Sequence, residues 1–122
     1  MAAASATLGV MKAEDVPARS AVRGRQGRAA LEALREQDPW IGEVRGMGLM
    51  QAMEMVKDRD SKTPDPARAR RVLEAARDEG LLVGTGGLHG HVVRMGPSML
   101  ITEEETEEAL RRLARACAAA VG

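Results

Sequence analysis

Phenylalanine and tyrosine are absent from the 122 residues, and Trp40 is the only Phe, Tyr or Trp ring. A core without such rings must be built from Leu, Val, Ala and eight methionines, side chains that define an interior less sharply. The same absence removes the rings that commonly wall a ligand or stack on a cofactor, which argues against a complete active site here. Cys117 is the one cysteine, so no internal disulfide can form, and a reducing, cytoplasmic compartment is expected. Eighteen basic and eighteen acidic side chains cancel, which leaves no basic excess for nucleic acid or an anionic membrane. Both partners are set aside. No apolar run approaches a membrane span, and no signal-peptide pattern is recognised. What is present, 44% hydrophobic and 30% charged residues, fits one globular domain over 1–122.

Propensity predicts a helix over Ala2–Met11 that lacks an N-cap, as if it continued a longer helix arriving from elsewhere. Pro17 and Ser20 punctuate, and a second helix runs to about Gln37, with Gly27, Ala30, Leu31 and Leu34 on its apolar face. Asp38-Pro39 ends it. Ile41 to Val56 reads as strand, with Val44, Leu49, Met53, Met55 and Val56 as apolar members and a bend or bulge at Gly46-Met47-Gly48. Asp65-Pro66 opens a third helix that buries Ala69, Val72, Leu73 and Ala76 and stops at Gly80. Short strands are expected at Leu81–Val83 and His91–Met95. Thr102 and Glu105 form a capping box for the last helix, whose buried stripe is Leu110, Leu113, Cys117 and Val121. Glu107–Arg111 and Glu108–Arg112 are spaced for ion pairs along it. The order of elements is α+β: a small antiparallel or mixed sheet with helices packed on one face.

The chemistry concentrates between Gly80 and Thr102. The loop Gly84-Thr-Gly-Gly-Leu-His-Gly90 leads into a strand rather than a helix, so it lacks the context of a phosphate-binding fingerprint and reads as a tight turn. Arg94 lies in the apolar run Val92-Val93-Arg94-Met95, where a buried guanidinium requires an anion, either a structural carboxylate or a ligand. His89 and His91 would share one face of a strand, but two imidazoles alone make a poor metal site. Cys117 reads as a small core residue. Met47, Met50, Met53 and Met55 read as core and edge packing, and Arg68, Arg70 and Arg71 as a solvated helix face. Lys12, Lys57 and Lys62 are the only lysines, and none has an apolar setting suited to imine chemistry. No nucleophile–base pair or phosphate-binding loop is found.

Several segments in order carry a family resemblance: Ala2-Ala-Ala-Ser-Ala-Thr-Leu-Gly-Val-Met11, Ile41-Gly-Glu-Val-Arg-Gly-Met-Gly-Leu-Met50, Ala52-Met-Glu-Met-Val56, Gly80-Leu-Leu-Val83, Gly86-Gly87, Val93-Arg94, Pro97-Ser98 and Thr102-Glu-Glu-Glu105. Together they resemble the C-terminal small domain of class III aminotransferases, which depend on pyridoxal phosphate, over nearly the whole chain. His91 stands where the family has an asparagine-like residue, and Gly96 in Arg-Met-Gly-Pro-Ser is also a departure.

The resemblance implies a fold-type I subunit that works as a homodimer, with the active site between large domain, small domain and partner subunit. Residues 1–16 would link to the large domain, and 17–122 would be the small α+β domain. By the same resemblance Arg94 grips a substrate carboxylate, or pairs with a glutamate that moves aside between half-reactions. The substrates implied are an amino acid or ω-amino acid and a 2-oxo acid. The cofactor's lysine, the aspartate facing its ring nitrogen and its phosphate cup belong to the large domain, and no position here matches them. The chain therefore reads as a fragment expected to be inactive alone. The alternative is a stand-alone interaction or regulatory domain with the same fold. A small-ligand binder using the glycine loop for an anionic group ranks last.

Overall fold

Alternating side chains on one strand give this molecule two unlike faces. In the computed structural model, which describes residues 1–121, the chain runs α1 (Ala2–Ala13), α2 (Val16–Gln37), β1 (Ile41–Met47), β2 (Met50–Asp58), β3 (Thr63–Pro64), α3 (Pro66–Asp78), β4 (Gly84–Gly86), β5 (Val92–Met95) and α4 (Glu103–Ala119). The strands form one sheet in the order β1-β2-β5-β4, with β3 added to β2, and every pairing is antiparallel. The expected α+β class holds, and the sheet is antiparallel rather than mixed.

Val44, Met53 and Val93 are register partners across β1, β2 and β5, and all three are buried. They meet Leu31 of α2, Ala69 and Val72 of α3, and Leu113 and Cys117 of α4 in one core. The helices therefore cover one face of the sheet, with α2 and α3 on the strands and α4 packed against both. The next register row, Arg45, Ala52, Arg94 and Gly84, turns to the opposite face.

Local chemistry sets the helix ends. Asp65 accepts a hydrogen bond from the Arg68 backbone N–H at 2.9 Å, with Pro66 at the first helical position. Gly80, at φ +73°, supplies the left-handed residue after α3. The α4 capping box is complete: Thr102 Oγ1 accepts from the Glu105 N–H at 3.1 Å, and Glu105 Oε2 accepts from the Thr102 N–H at 2.9 Å.

Six details depart from the sequence reading. The second helix begins at Val16, with Pro17 inside its first turn, and not after Ser20. Asp15, at φ +47°, makes the break from α1, and α1 itself buries no residue. Gly46-Met47-Gly48 is no interruption within a strand but part of a hairpin, which turns at Gly48-Leu49. The irregular register lies instead between Ile41 and Glu43. Leu81–Val83 is not a strand, because β4 pairs through Gly84–Gly86, the start of the glycine loop. Val121 is exposed beyond the end of α4, and Ala116 and Ala120 take the place expected for it. Met53 and Met55 are fully buried, but Met47 and Met50 sit at the hairpin tip in solvent.

The sixth departure is Arg68, only 3% exposed rather than on a solvated face. Its guanidinium donates to Asp38 Oδ2 at 2.9 Å and to the Ala120 carbonyl at 3.1 Å, and its carbon lies 5.6 Å from the Trp40 ring centroid. Arg71 adds a second donor to the same carbonyl at 3.3 Å. Two guanidiniums thus meet the negative end of α4.

Candidate functional site

The sheet face turned away from the helices carries the charged groups. On β5 the pleat sends Val93 toward the core and Arg94 to the open side, where it is exposed. This corrects the expectation of a guanidinium inside apolar packing: alternation lifts Arg94 out of the core. Its register neighbours are Ala52 on β2 and Gly84 on β4, so neither directly paired residue sets a bulky side chain beside it. Gly86 completes the seat. A Cβ there would stand 3.1 Å from Arg94 Nε and 3.4 Å from Cζ, so the bare backbone lets the guanidinium lie across it. Among the described residues no carboxylate pairs with Arg94, and those on this face are engaged elsewhere. The guanidinium keeps its full set of donors for an external anion.

Glu54 is the nearest acid in the register. Its Oε1 lies 2.7 Å from Arg45 Nη1 and 3.7 Å from His91 Nε2, and Arg45 also reaches Glu43 at 3.4 Å. His91 is 8% exposed, and its Nδ1 is buried without a hydrogen-bond partner. His89 is not on a strand but in the exposed turn after Gly87, with its ring centroid 5.8 Å from that of His91. The two imidazoles are neighbours, though not through shared strand alternation. Among the described residues no group of three His, Cys, Asp or Glu side chains is arranged to hold a metal ion.

A shallow groove runs along this face past Arg45, Met50, Ala52, Gly84 and Arg94. A more enclosed cavity of about 130 Å³ lies on the helix side, among Gly24, Leu31, Val83, Leu110 and Leu113. It is apolar and does not include Arg94. Cys117 is inert in the core: burial foremost, with the Asp38 charge adding and Arg68 opposing, pushes its thiol up to about 12. Lys12, Lys57 and Lys62 are dispersed over α1, the end of β2 and the loop before β3. No helix among the described residues is long and apolar enough to cross a membrane.

Sequence reasoning found Arg94 but missed Arg45, Glu54 and the seat at Gly86. A signal existed. Glu43-x-Arg45 and Ala52-x-Glu54 have the two-residue spacing of one strand face, opposite the apolar Val44 and Met53.

Comparison with known proteins places this geometry in context. The family model for class III aminotransferases matches residues 1–117. The diaminobutyrate–2-oxoglutarate aminotransferase of Rhizobium meliloti is 36% identical, over 95% of this chain and 26% of its own length. The mitochondrial alanine–glyoxylate aminotransferase 2 homolog 2 of Arabidopsis thaliana is 34% identical, over 84% of this chain and 21% of its own. Among solved structures, a transaminase from directed evolution by ancestral reconstruction superposes with a TM-score of 0.88. Its identity is 31%, covering 98% of this chain and 26% of that one. The chain thus spans about a quarter of the length of the proteins it resembles.

Proposed function

Because the chain belongs to the class III aminotransferases, we propose that it serves as the substrate-recognising small domain of an enzyme that moves an amino group from an amino acid or ω-amino acid to a 2-oxo acid. Arg94 is the residue that receives the substrate carboxylate. One observation carries this reading: an exposed guanidinium, unpaired among the described residues, sits over Gly86 between Ala52 and Gly84. A planar fork of N–H donors matches a carboxylate, and the small neighbours leave room for it.

Pyridoxal phosphate, the family's cofactor, would be held outside this chain. The three lysines are scattered, and the glycines of β4 are committed to strand pairing, so the residues present do not fit it. What this chain contributes is binding and orientation of the carboxylate end of the substrate.

The reading extends to a large cofactor domain and a second subunit, as a homodimer in the cytoplasm. Two features support the large partner surface. All of α1 lacks a buried residue, with Leu8 and Val10 exposed, and Leu82 and Leu88 are bare beside β4.

The test is Arg94→Ala in a full-length enzyme carrying this domain, assayed with an amino acid and with a matched amine lacking the carboxylate. A charge-assisted hydrogen bond is worth about 1.5–3 kcal/mol, so kcat/KM for the amino acid should fall by roughly one to two orders of magnitude. The amine should be little affected. An equal fall for both substrates overturns the assignment of Arg94.

A further inference from the structure

Glu54 and Arg94 are diagonal neighbours on adjacent strands. Glu54 pairs in register with Val92, and Arg94 with Ala52. Such diagonals lie roughly 7–8 Å apart, within the span of two long side chains. The Glu54 carboxylate is instead turned toward β1: its Oε1 lies 2.7 Å from Arg45 Nη1, with His91 Nε2 on the same oxygen at 3.7 Å.

We propose that Arg45 is a positioning residue: it holds Glu54 on the β1 side of the sheet and so keeps Arg94 open to an external carboxylate. The charges on this face support the division of labour. Arg45 stands between two acids, Glu43 and Glu54, which are themselves register partners. Like charges directly opposite one another repel. Without Arg45, that repulsion would drive Glu54 away from Glu43, and Arg94 is the free cation it would meet. His91 and the exposed His89 complete the polar set on this face. Arg45 therefore affects ligand binding without touching the ligand, by preventing an internal carboxylate from taking its place. The effect on substrate rests on the reading of Arg94 as carboxylate anchor. The exchange of ion pairs does not.

The experiment has a spectroscopic arm on this chain and a kinetic arm on the full-length enzyme. In nitrogen-15 spectra of arginine side chains, the wild-type Arg94 Nε–H should show the fast solvent exchange of an unpaired guanidinium. Arg45→Gln should slow it severalfold, and Arg45→Gln/Glu54→Gln should restore it. Arg45→Lys, which keeps the charge, should resemble wild type. An Arg94 signal unchanged in a folded Arg45→Gln chain overturns the proposal, as does equal slowing in Arg45→Lys. In the full-length enzyme, Arg45→Gln should raise KM for the amino acid by about two- to fivefold, the range expected for competition by one exposed ion pair. The change in KM should exceed that in kcat, with rescue by the added Glu54→Gln. If the spectra show the exchange but Arg94→Ala does not discriminate amino acid from amine, the carboxylate-anchor reading fails and the positioning role of Arg45 stands.

Discussion

The Arg68 guanidinium donates to Asp38 Oδ2 at 2.9 Å, joining the start of α3 to the link between α2 and β1. Asp38 is 12% exposed, so removing Arg68 leaves a largely buried carboxylate unpaired and withdraws one donor from the Ala120 carbonyl. Breaking a buried pair from one side typically costs about 3–5 kcal/mol. Arg68→Ala should lower stability by that order in urea unfolding. Arg68→Met with Asp38→Asn should recover much of the loss. A cost below about 1 kcal/mol for Arg68→Ala would show that the pair behaves as a surface contact.

Two glycines on α2 should respond oppositely to the same substitution. A Cβ on Gly24 would stand 2.5 Å from the Gly48 carbonyl oxygen, a backbone atom that also accepts from Gln51 Nε2 at 2.7 Å. Gly24→Ala should therefore push the β1–β2 hairpin off the helix and cost about 1–3 kcal/mol. Gly27 has nothing within 4 Å of its Cβ position, so Gly27→Ala should stabilise by up to about 1 kcal/mol through helix propensity. Thermal melts of the two variants settle the contrast.

Cys117 gives the protein an alkaline limit. Its thiol is neutral in the native state up to about 12, against 9.0 for the unperturbed group. Between those values the unfolded chain loses the proton and the native chain keeps it. Stability from this group is thus complete below pH 9 and declines as pH rises, by about 1.4 kcal/mol per pH unit. Cys117→Ala should flatten that part of the stability profile. In the native protein at pH 8, a thiol reagent should label Cys117 only at the rate of unfolding.

Gly86→Ala separates positioning from folding. The three atoms nearest the new methyl all belong to the flexible Arg94 side chain, the closest being Nε at 3.1 Å. The melting temperature should shift little, because the guanidinium can swing aside. In the full-length enzyme, selectivity for the carboxylate-bearing substrate should drop severalfold. A large loss of stability with unchanged selectivity would contradict the seat described for Arg94.

What could be read from the sequence was what local chemistry decides. Thr102 with Glu105, and Asp65 with Pro66 and Gly80, place their helix ends because a cap and its partner lie within one turn. Arg68 was misread because its partners Asp38 and Ala120 are 30 and 52 positions away. Leu81–Val83 looked more strand-like than Gly84–Gly86, yet β4 is defined by what pairs with Val92, Val93 and Arg94, and composition does not encode that. At the site, Arg94 was singled out for the wrong reason. Its neighbours' hydrophobicity predicts burial, whereas the pleat turns Arg94 away from the core that Val93 fills, even though Val92 on the same side is buried. Glu54 and Arg45 meet only across strands, so no single segment displayed their pairing.

Neighbours on β5 differ in what a substitution disturbs, since Val93 is locked into the interior and Arg94 is not. Substitutions in the open row at Arg45, Ala52, Gly84 and Arg94 can therefore leave the packing of Val44, Met53 and Val93 in place and cost little thermal tolerance. The pleat leaves that open row free to change one codon at a time.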